Sequence, residues 1–502
     1  MSPEKNAMKF EKLLSEKYCV PSDVADLEIS SICVNSKKCV KDSMFFCFES
    51  KNHSCGAYAE DALKRGASVL ISETPLDDVI RKFISDRQDC CEKIVKPYNL
   101  VVKNARLFLS GVCKTFYGEP HKKLRTIAVV GTNGKTSVAC MIYKILNDFG
   151  EKCGFIGTFG AIYDGKKIKT DMTTPDSPEL YEILADMVKC GVKAVAVELS
   201  AHAIFLKKAD FTFDIAVFTN CGRDHLDFFE TFEKYRAVKV SAFSMRGARL
   251  AVVNGDDDCL PLIASKRDRG LITYGIERPC DVFAMDVECK KESVEFIINL
   301  FDAVYRIKCA LIGKFNVYNM LAAATACALC GVKTDSVAKS MRSFLPVDGR
   351  LERVCLKKRV YVDYAHTPEG LENALKSLIE IKGYGKLICV FGCGGNRDKE
   401  KRPKMGEISG KYADFTVITS DNPRFEEPSE IISQIEKGIR NVSLGYIIIS
   451  DREQAIKYAL NFAGDGDVVL IAGKGAEEYQ ETMGVFRKFS DKEVACACLD
   501  GD

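Results

Sequence analysis

Ile127-Ala128-Val129-Val130-Gly131-Thr132-Asn133-Gly134-Lys135-Thr136-Ser137 is the stretch from which the fold can be read. Four apolar residues run into a glycine-framed turn. After it Val138, Met141, Ile142, Ile145 and Leu146 recur at i, i+3, i+4, i+7 and i+8, a spacing that predicts a helix ending near Gly150. Strand, glycine loop and helix in that order predict a phosphate-binding loop. The backbone N–H groups of Gly131, Thr132, Asn133 and Gly134 and the positive end of the helix, at Ser137, would cradle a polyphosphate. Lys135 would reach the terminal phosphates, and the Thr136 hydroxyl would take Mg²⁺. The usual pattern carries a glycine five residues before Gly134. Val129 stands there, so this is a shorter variant, and ATP is the expected ligand.

Outward from the loop, apolar runs at 194–197, 215–218 and 250–253 end in Glu198, in Thr219 and Asn220, and in Asn254. Strands alternating with helices predict an α/β fold with a mostly parallel, doubly wound sheet. A polar stretch at 117–123 separates this region from a small α/β unit with apolar runs at 43–48 and 67–72. A second boundary falls at 344–350, after which the pattern restarts. Five apolar strands follow, leading into Asp363 and His366, into Gly392 to Arg397, into Asp421 to Arg424, into Asp451 and Arg452, and into Gly473 to Glu477. Open α/β sheets bind ligands outside the carboxyl ends of their strands, so this part supplies a second ligand site. The expected division is 1–118, 119–345 and 346–502.

The 502 residues carry a formal net charge of +2, with 47% hydrophobic and 28% charged residues. That balance gives no electrostatic footprint for nucleic acid or an anionic membrane. No run of about 18 apolar residues appears, and the expectation is a cytoplasmic protein. The 23 cysteines are scattered singly and read as small core residues. Cys327 and Cys330 have CxxC spacing but lie in a helix-forming run without a second ligand pair, which favours packing over zinc.

Glu198 at one strand end and Asn220-Cys221-Gly222-Arg223-Asp224-His225 after another fit a metal–nucleotide centre. Mg²⁺ prefers oxygen ligands plus phosphate, so Thr136 and Glu198 are natural ligands; His225, taken alone, reads as a loop histidine rather than a ligand. These stretches, with Thr173-Thr174-Pro175, Glu198-Leu199-Ser200-Ala201-His202, Gly313 to Asn319, Asp348-Gly349-Arg350, Asp363 to Pro368, Gly392 to Pro403, Asp421-Asn422-Pro423-Arg424 and Gly473 to Gln480, resemble the Mur ligases. Within that family they look like the members that add the third amino acid to UDP-N-acetylmuramoyl-dipeptide.

The resemblance implies a three-domain architecture with a central ATPase domain and a C-terminal Rossmann-like domain. It implies ATP-driven amide synthesis through an acyl phosphate in peptidoglycan precursor synthesis, with Lys135, His225 and Lys239 catalytic and two Mg²⁺ ions held by Thr136, Glu198, His225 and a carbamylated Lys239. It puts Asn316, Asn319, Arg350, Asp363 and His366 at the nucleotide. Ser36, Thr173, Thr174, Ser200 and Lys208 fall at the UDP-muramoyl peptide. Arg397, Asp421, Asn422, Arg424, Gly473 and Glu477 fall at meso-diaminopimelate, whose second carboxylate suits a guanidinium. The partners expected are these small molecules, on a monomer. The chain departs from the family at Asn35-Ser36-Lys37 in place of Asp-Ser-Arg, around His53 to Gly56, and at Ala201, Lys208, Phe229-Glu230 and Ala476. A sister ligase for L-lysine or another diamine, a non-catalytic ATP-binding paralogue and a folate-type ligase are the alternatives; the motif at 421–424 disfavours the last.

Overall fold

A computed structural model describes residues 7–14, 18, 20–49, 55–86, 96–355 and 358–500, and His53 lies outside them. The chain forms two compact units, Met1–Thr126 with Lys152–Phe213, and Ile127–Glu151 with Asp214–Asp502.

In the first unit, strands Ser31–Cys33, Ser43–Phe46, Ala67–Ser72 and Tyr98–Val101 make a parallel four-stranded sheet. Ala67–Ser72 is buried along its whole length, as expected of a parallel strand covered on both faces. Phe46, Val69, Ile71 and Leu109 fill one core; Phe45, Leu70, Leu63 and Phe83 fill the other. Cys47 and Cys55 form a disulfide, a pairing that the reading of every cysteine as a core residue did not anticipate. Cys327 and Cys330 are buried, free thiols. The same unit holds Cys153–Gly157 parallel to Ala194–Glu198, and a hairpin through Gly160–Tyr163 and Lys166–Ile168.

In the second unit residues 127–130 of the strand Arg125–Val130 lie parallel to 215–218 of the strand Phe213–Phe218, followed by Ala248–Asn254, Leu271–Gly275 and the meander Val282–Cys289, Val294–Leu300, Ala303–Cys309. Val129 and Val130 are buried in the strand, which is why the loop after it is short. The helix Lys135–Asp148 buries the five apolar residues that the periodicity marks. A separate six-stranded sheet has the order Glu352–Arg353, Arg359–Asp363, Val468–Ala472, Leu387–Phe391, Phe415–Ile418, Tyr446–Ile448, all parallel except the first. Val468–Ala472, last of these strands in sequence, is inserted between the first two crossover strands, and that order creates a switch point facing residues 363–366, 392–397 and 473–477. Helices Pro368–Lys382, Lys401–Tyr412 and Pro428–Ile439 contribute to the core on one face, Arg452–Phe462 and Asp491–Asp500 on the other. No helix of the described residues is long and apolar enough to cross a membrane.

Candidate active site

Close approach of backbone to side chain explains the glycines of the phosphate loop. A Cβ on Gly131 would lie 1.8 Å from Thr219 Oγ1, and one on Gly134, where φ is +82°, 2.5 Å from Asn319 Oδ1. The loop is held by the end of the neighbouring strand. Thr219 Oγ1 and Asn220 Nδ2 donate to the Asn133 carbonyl at 2.6 and 3.1 Å, Asn133 N donates to Asn220 Oδ1 at 2.9 Å, and Gly222 N donates to Thr132 Oγ1 at 3.0 Å. Lys135 Nζ donates to the carbonyls of Gly131 and Thr132, both at 2.9 Å. The ammonium therefore sits over the turn, where phosphate oxygens would replace those carbonyls.

Lys239 is 1% exposed on the helix Phe232–Ser241. Its Nζ lies 2.5 Å from Thr132 Oγ1 and 4.1 Å from the centre of the Tyr235 ring. No carboxylate among the described residues pairs with it. Burial, aided by the charge of Lys135, pushes its pKa down to about 7. Nearby, Asp224 Oδ2 stands 3.2 Å from His225 Nε2 and 3.8 Å from His366 Nε2. Burial alone would push the Asp224 carboxyl up. The neighbouring His366, His225 and Lys401 outweigh it and hold the group well below the carboxylate range.

Of the residues expected at the nucleotide, Arg350 donates from Nη2 to Thr136 Oγ1 at 2.9 Å and stacks 4.3 Å over Tyr364. Asn316 and Asn319 are buried at the start of the helix Lys314–Leu329, linked to each other at 3.2 Å. Asp363 accepts from Leu351 N at 2.6 Å and Ala365 N at 2.7 Å, so it shapes the turns that carry Arg350 and His366.

The second sheet gathers the remaining group. Arg424 has φ +52°; its Nη1 donates to Gly395 O at 2.8 Å and its Nε is 3.2 Å from Glu481 Oε2. Asn422 Nδ2 and Lys474 Nζ both reach Glu477 Oε2, at 3.0 and 3.1 Å. Asp421 Oδ2 would be 2.7 Å from a Cβ on Gly473. Arg397 is exposed beside Gly394.

The first unit brings together four of the expected residues. Thr174 Oγ1 donates to Glu198 O at 2.6 Å and lies 3.3 Å from Ser200 Oγ, while Lys208 Nζ pairs with Asp176 at 2.8 Å and donates to Thr174 O at 3.3 Å. Thr173 is half-buried in the same turn. The buried Glu198 carboxylate accepts from Thr158 N at 2.8 Å. Ser36 lies apart in the four-stranded sheet region, in the 3-10 turn Ser36–Lys38, where Asn35 caps Lys37 N at 3.0 Å and the Ser36 hydroxyl engages Asp61.

Comparison with known proteins matches the Mur ligase middle domain over residues 129–327 and the Mur ligase, glutamate ligase domain over residues 349–475. The UDP-N-acetylmuramoyl-L-alanyl-D-glutamate–2,6-diaminopimelate ligase of Caldanaerobacter subterraneus subsp. tengcongensis is 38% identical over 472 residues, 93% of this chain and 94% of the relative. The same ligase of Bacillus velezensis is 37% identical over 500 residues, 97% of this chain and 98% of the relative. The chain belongs to the Mur ligase family. A solved structure of that diaminopimelate ligase superposes with a TM-score of 0.67 at 28% identity, covering 99% of both chains.

Three of the departures from the Mur ligase pattern are accommodated locally. Ala201 is buried at the start of a short helix, Phe229 is buried, and Glu230 pairs with Lys234. Sequence reasoning missed Asp224 as the partner of two histidines, the fully buried Lys474 against Glu477, and Glu481 against Arg424. The signal for Lys474 was a charged residue between two glycines, a place where a side chain turns inward. Glu481 offered no signal beyond lying four residues after Glu477.

Proposed function

We propose that this chain is an ATP-dependent amide ligase that joins meso-diaminopimelate to UDP-N-acetylmuramoyl-L-alanyl-D-glutamate in the cytoplasm, as a step of peptidoglycan precursor synthesis. The observation that carries the substrate choice is the Arg424 guanidinium, anchored through Nη1 and Nε and lying beside Gly394 at the carboxyl end of the sheet. A planar fork matches a carboxylate in a way that an ammonium-bearing side chain such as that of lysine cannot use. Three domains, 1–118 for the UDP-muramoyl peptide, 119–345 for ATP and 346–502 for the amino acid, divide the task.

In the reaction the D-glutamyl carboxylate takes the γ-phosphoryl group of ATP, ADP leaves, and the amine of the incoming amino acid displaces phosphate from the acyl phosphate. Lys135 would leave the loop carbonyls for the terminal phosphates and spread the charge of the transferring group. Arg350, already on Thr136, adds a second cation at the same end. Asn316, Asn319, Asp363 and His366 hold the nucleotide; Ser36, Thr173, Thr174, Ser200 and Lys208 hold the UDP-muramoyl peptide.

The donor set suits a hard cation. No cluster of three or more His, Cys, Asp or Glu residues among the described ones is placed to hold a metal; the ligands proposed are hydroxyl, carboxylate, imidazole and carbamate groups together with phosphate oxygens. An amine whose pKa is about 7 reacts as the neutral form with CO₂, and the buried Lys239 meets that condition. Thr136, Glu198, His225 and carbamylated Lys239 would hold Mg²⁺, which would screen the charge that builds on the transferred phosphoryl group. Phosphate release should require UDP-N-acetylmuramoyl-L-alanyl-D-glutamate and rise with meso-diaminopimelate at least tenfold more efficiently than with L-lysine. Equal kcat/KM for the two amino acids would favour the lysine-adding alternative.

A further inference from the structure

Glu481 lies on the strand Tyr479–Thr482 of a hairpin completed by Val485–Lys488. The hairpin is locked to the turn that carries Arg424. Arg424 N donates to Glu481 O at 3.1 Å, Met483 N donates to Arg424 O at 2.6 Å, and Glu481 N donates to Asn422 Oδ1 at 3.0 Å. The side chains meet as well, Arg424 Nε lying 3.2 Å from Glu481 Oε2 with 21% and 17% of the side chains exposed.

The nearby Glu477 is differently placed. Its Oε2 accepts from Asn422 Nδ2 and from the Nζ of Lys474, an ammonium with no exposed surface. Most of the Glu477 charge is therefore answered from inside the protein. Among the described residues Glu481 is answered only by Arg424, the group to which the distal carboxylate of the amino acid is assigned.

A carboxylate arriving on the Arg424 fork is brought close to the Glu481 carboxylate and must share its cation. A like charge at that range is unfavourable unless another cation arrives with it. The distal carbon of meso-diaminopimelate carries an ammonium next to its carboxylate. That substrate would complete a ring of alternating charge: guanidinium, substrate carboxylate, substrate ammonium, Glu481.

We propose that Glu481 is a specificity-determining residue that makes the amino-acid site demand a distal zwitterion, penalising a carboxylate that comes without an ammonium. This rests on the reading of Arg424 as the carboxylate partner in diaminopimelate ligation. Lysine, with an ammonium alone, leaves the Arg424–Glu481 pair closed on itself. 2-Aminopimelate, with a distal carboxylate and no distal ammonium, meets the repulsion without relief.

The test is steady-state kinetics of the full-length enzyme with meso-diaminopimelate, 2-aminopimelate and L-lysine, for the parent and for Glu481→Gln. The glutamine keeps an acceptor for Arg424 Nε and removes only the charge. The KM for meso-diaminopimelate should rise about tenfold, equivalent to about 1.4 kcal/mol, while the KM for 2-aminopimelate falls; kcat and the KM for ATP should hold. Equal increases for both substrates would reduce Glu481 to a brace for Arg424 and overturn the proposal, as would no change in either. A parent enzyme that uses lysine as well as meso-diaminopimelate would instead sink the underlying reading. A parent that prefers meso-diaminopimelate, but whose glutamine variant keeps the same ratio to 2-aminopimelate, would sink this inference alone.

Discussion

Lys239 shows how one residue can hold chemistry that its neighbours in sequence do not reveal. Its pKa in the folded protein is about 7 against 10.5 for an exposed lysine, so the unfolded chain binds a proton between those pH values that the folded one does not. Stability should therefore rise with pH through that window, and the cost of burying the charge is fully present below pH 7. At about 1.4 kcal/mol per pKa unit the cost reaches roughly 5 kcal/mol. Lys239→Met, compared with the parent in CO₂-free buffer, should raise Tm by several degrees at pH 6, with the gain shrinking towards pH 10; a gain independent of pH would contradict a titrating Lys239. The same variant should lack activity, because no carbamate can form. Lys135→Ala should lose at least 10³-fold in kcat, since its ammonium, held on the loop carbonyls of Gly131 and Thr132, acts on the transferring group. Phosphate release within tenfold of the parent would remove that role.

Among the elements, the segment entering the second sheet depends on one glycine. Gly349 has φ +63°, and a Cβ there would stand 2.1 Å from Ala476 N and 2.4 Å from Gly475 C. Both obstacles are backbone, so neither can swing aside. Gly349→Ala should cost about 2 kcal/mol or more from the left-handed conformation and the clash together. The measurement is the midpoint of denaturant unfolding followed in the second sheet; a variant as stable as the parent would mean that the 473–476 loop can retreat. The turn carries Arg350 on one side and the Lys474–Glu477 pair on the other. Gly349→Ala should consequently weaken ATP and amino-acid binding together, where an Arg350 variant weakens ATP alone.

Across the second unit as a whole, the phosphate-loop region and the six-stranded sheet meet through side chains far apart in sequence. Thr136 meets Arg350 at 2.9 Å, Asn133 meets Glu369 at 3.4 Å, and Arg223 meets Asp398 at 3.5 Å. Gly222 leaves space for one of these contacts: a Cβ there would lie 1.7 Å from Glu369 Oε2, the tip of a flexible side chain. Gly222→Ala should push the carboxylate aside without unfolding anything. Tm should stay within about 2 °C, the KM for ATP should rise a few-fold, and Glu369→Ala should do the same. Because both changes remove one contact, the double variant should be no worse than either single. Additive losses would show that Gly222 and Glu369 act separately.

Much of the fold was legible before any coordinates. The phosphate loop, its helix and the strands at 387–391, 415–418 and 468–471 declare themselves through local signals: apolar runs, a 3.6-residue period and glycines at a turn. Those signals depend on residues within about a dozen positions of one another. Arg424 was singled out only through the resemblance to the Mur ligases, since by its neighbours alone it reads as a surface turn after Pro423. Long-range placement was not legible. The helix around Lys239 reads as a solvated one, and only packing brings its amine onto Thr132, 107 residues earlier, and away from water. Glu481 and Arg424, Asp224 and His366, and Cys47 with Cys55 likewise become partners only when separate strands, loops and helices are set side by side. The sequence by itself determined which elements form and which side chains stand at their ends. The tertiary structure decided which charges are desolvated and what each one faces, because desolvation and Coulomb energy depend on distance in space and not on distance along the chain.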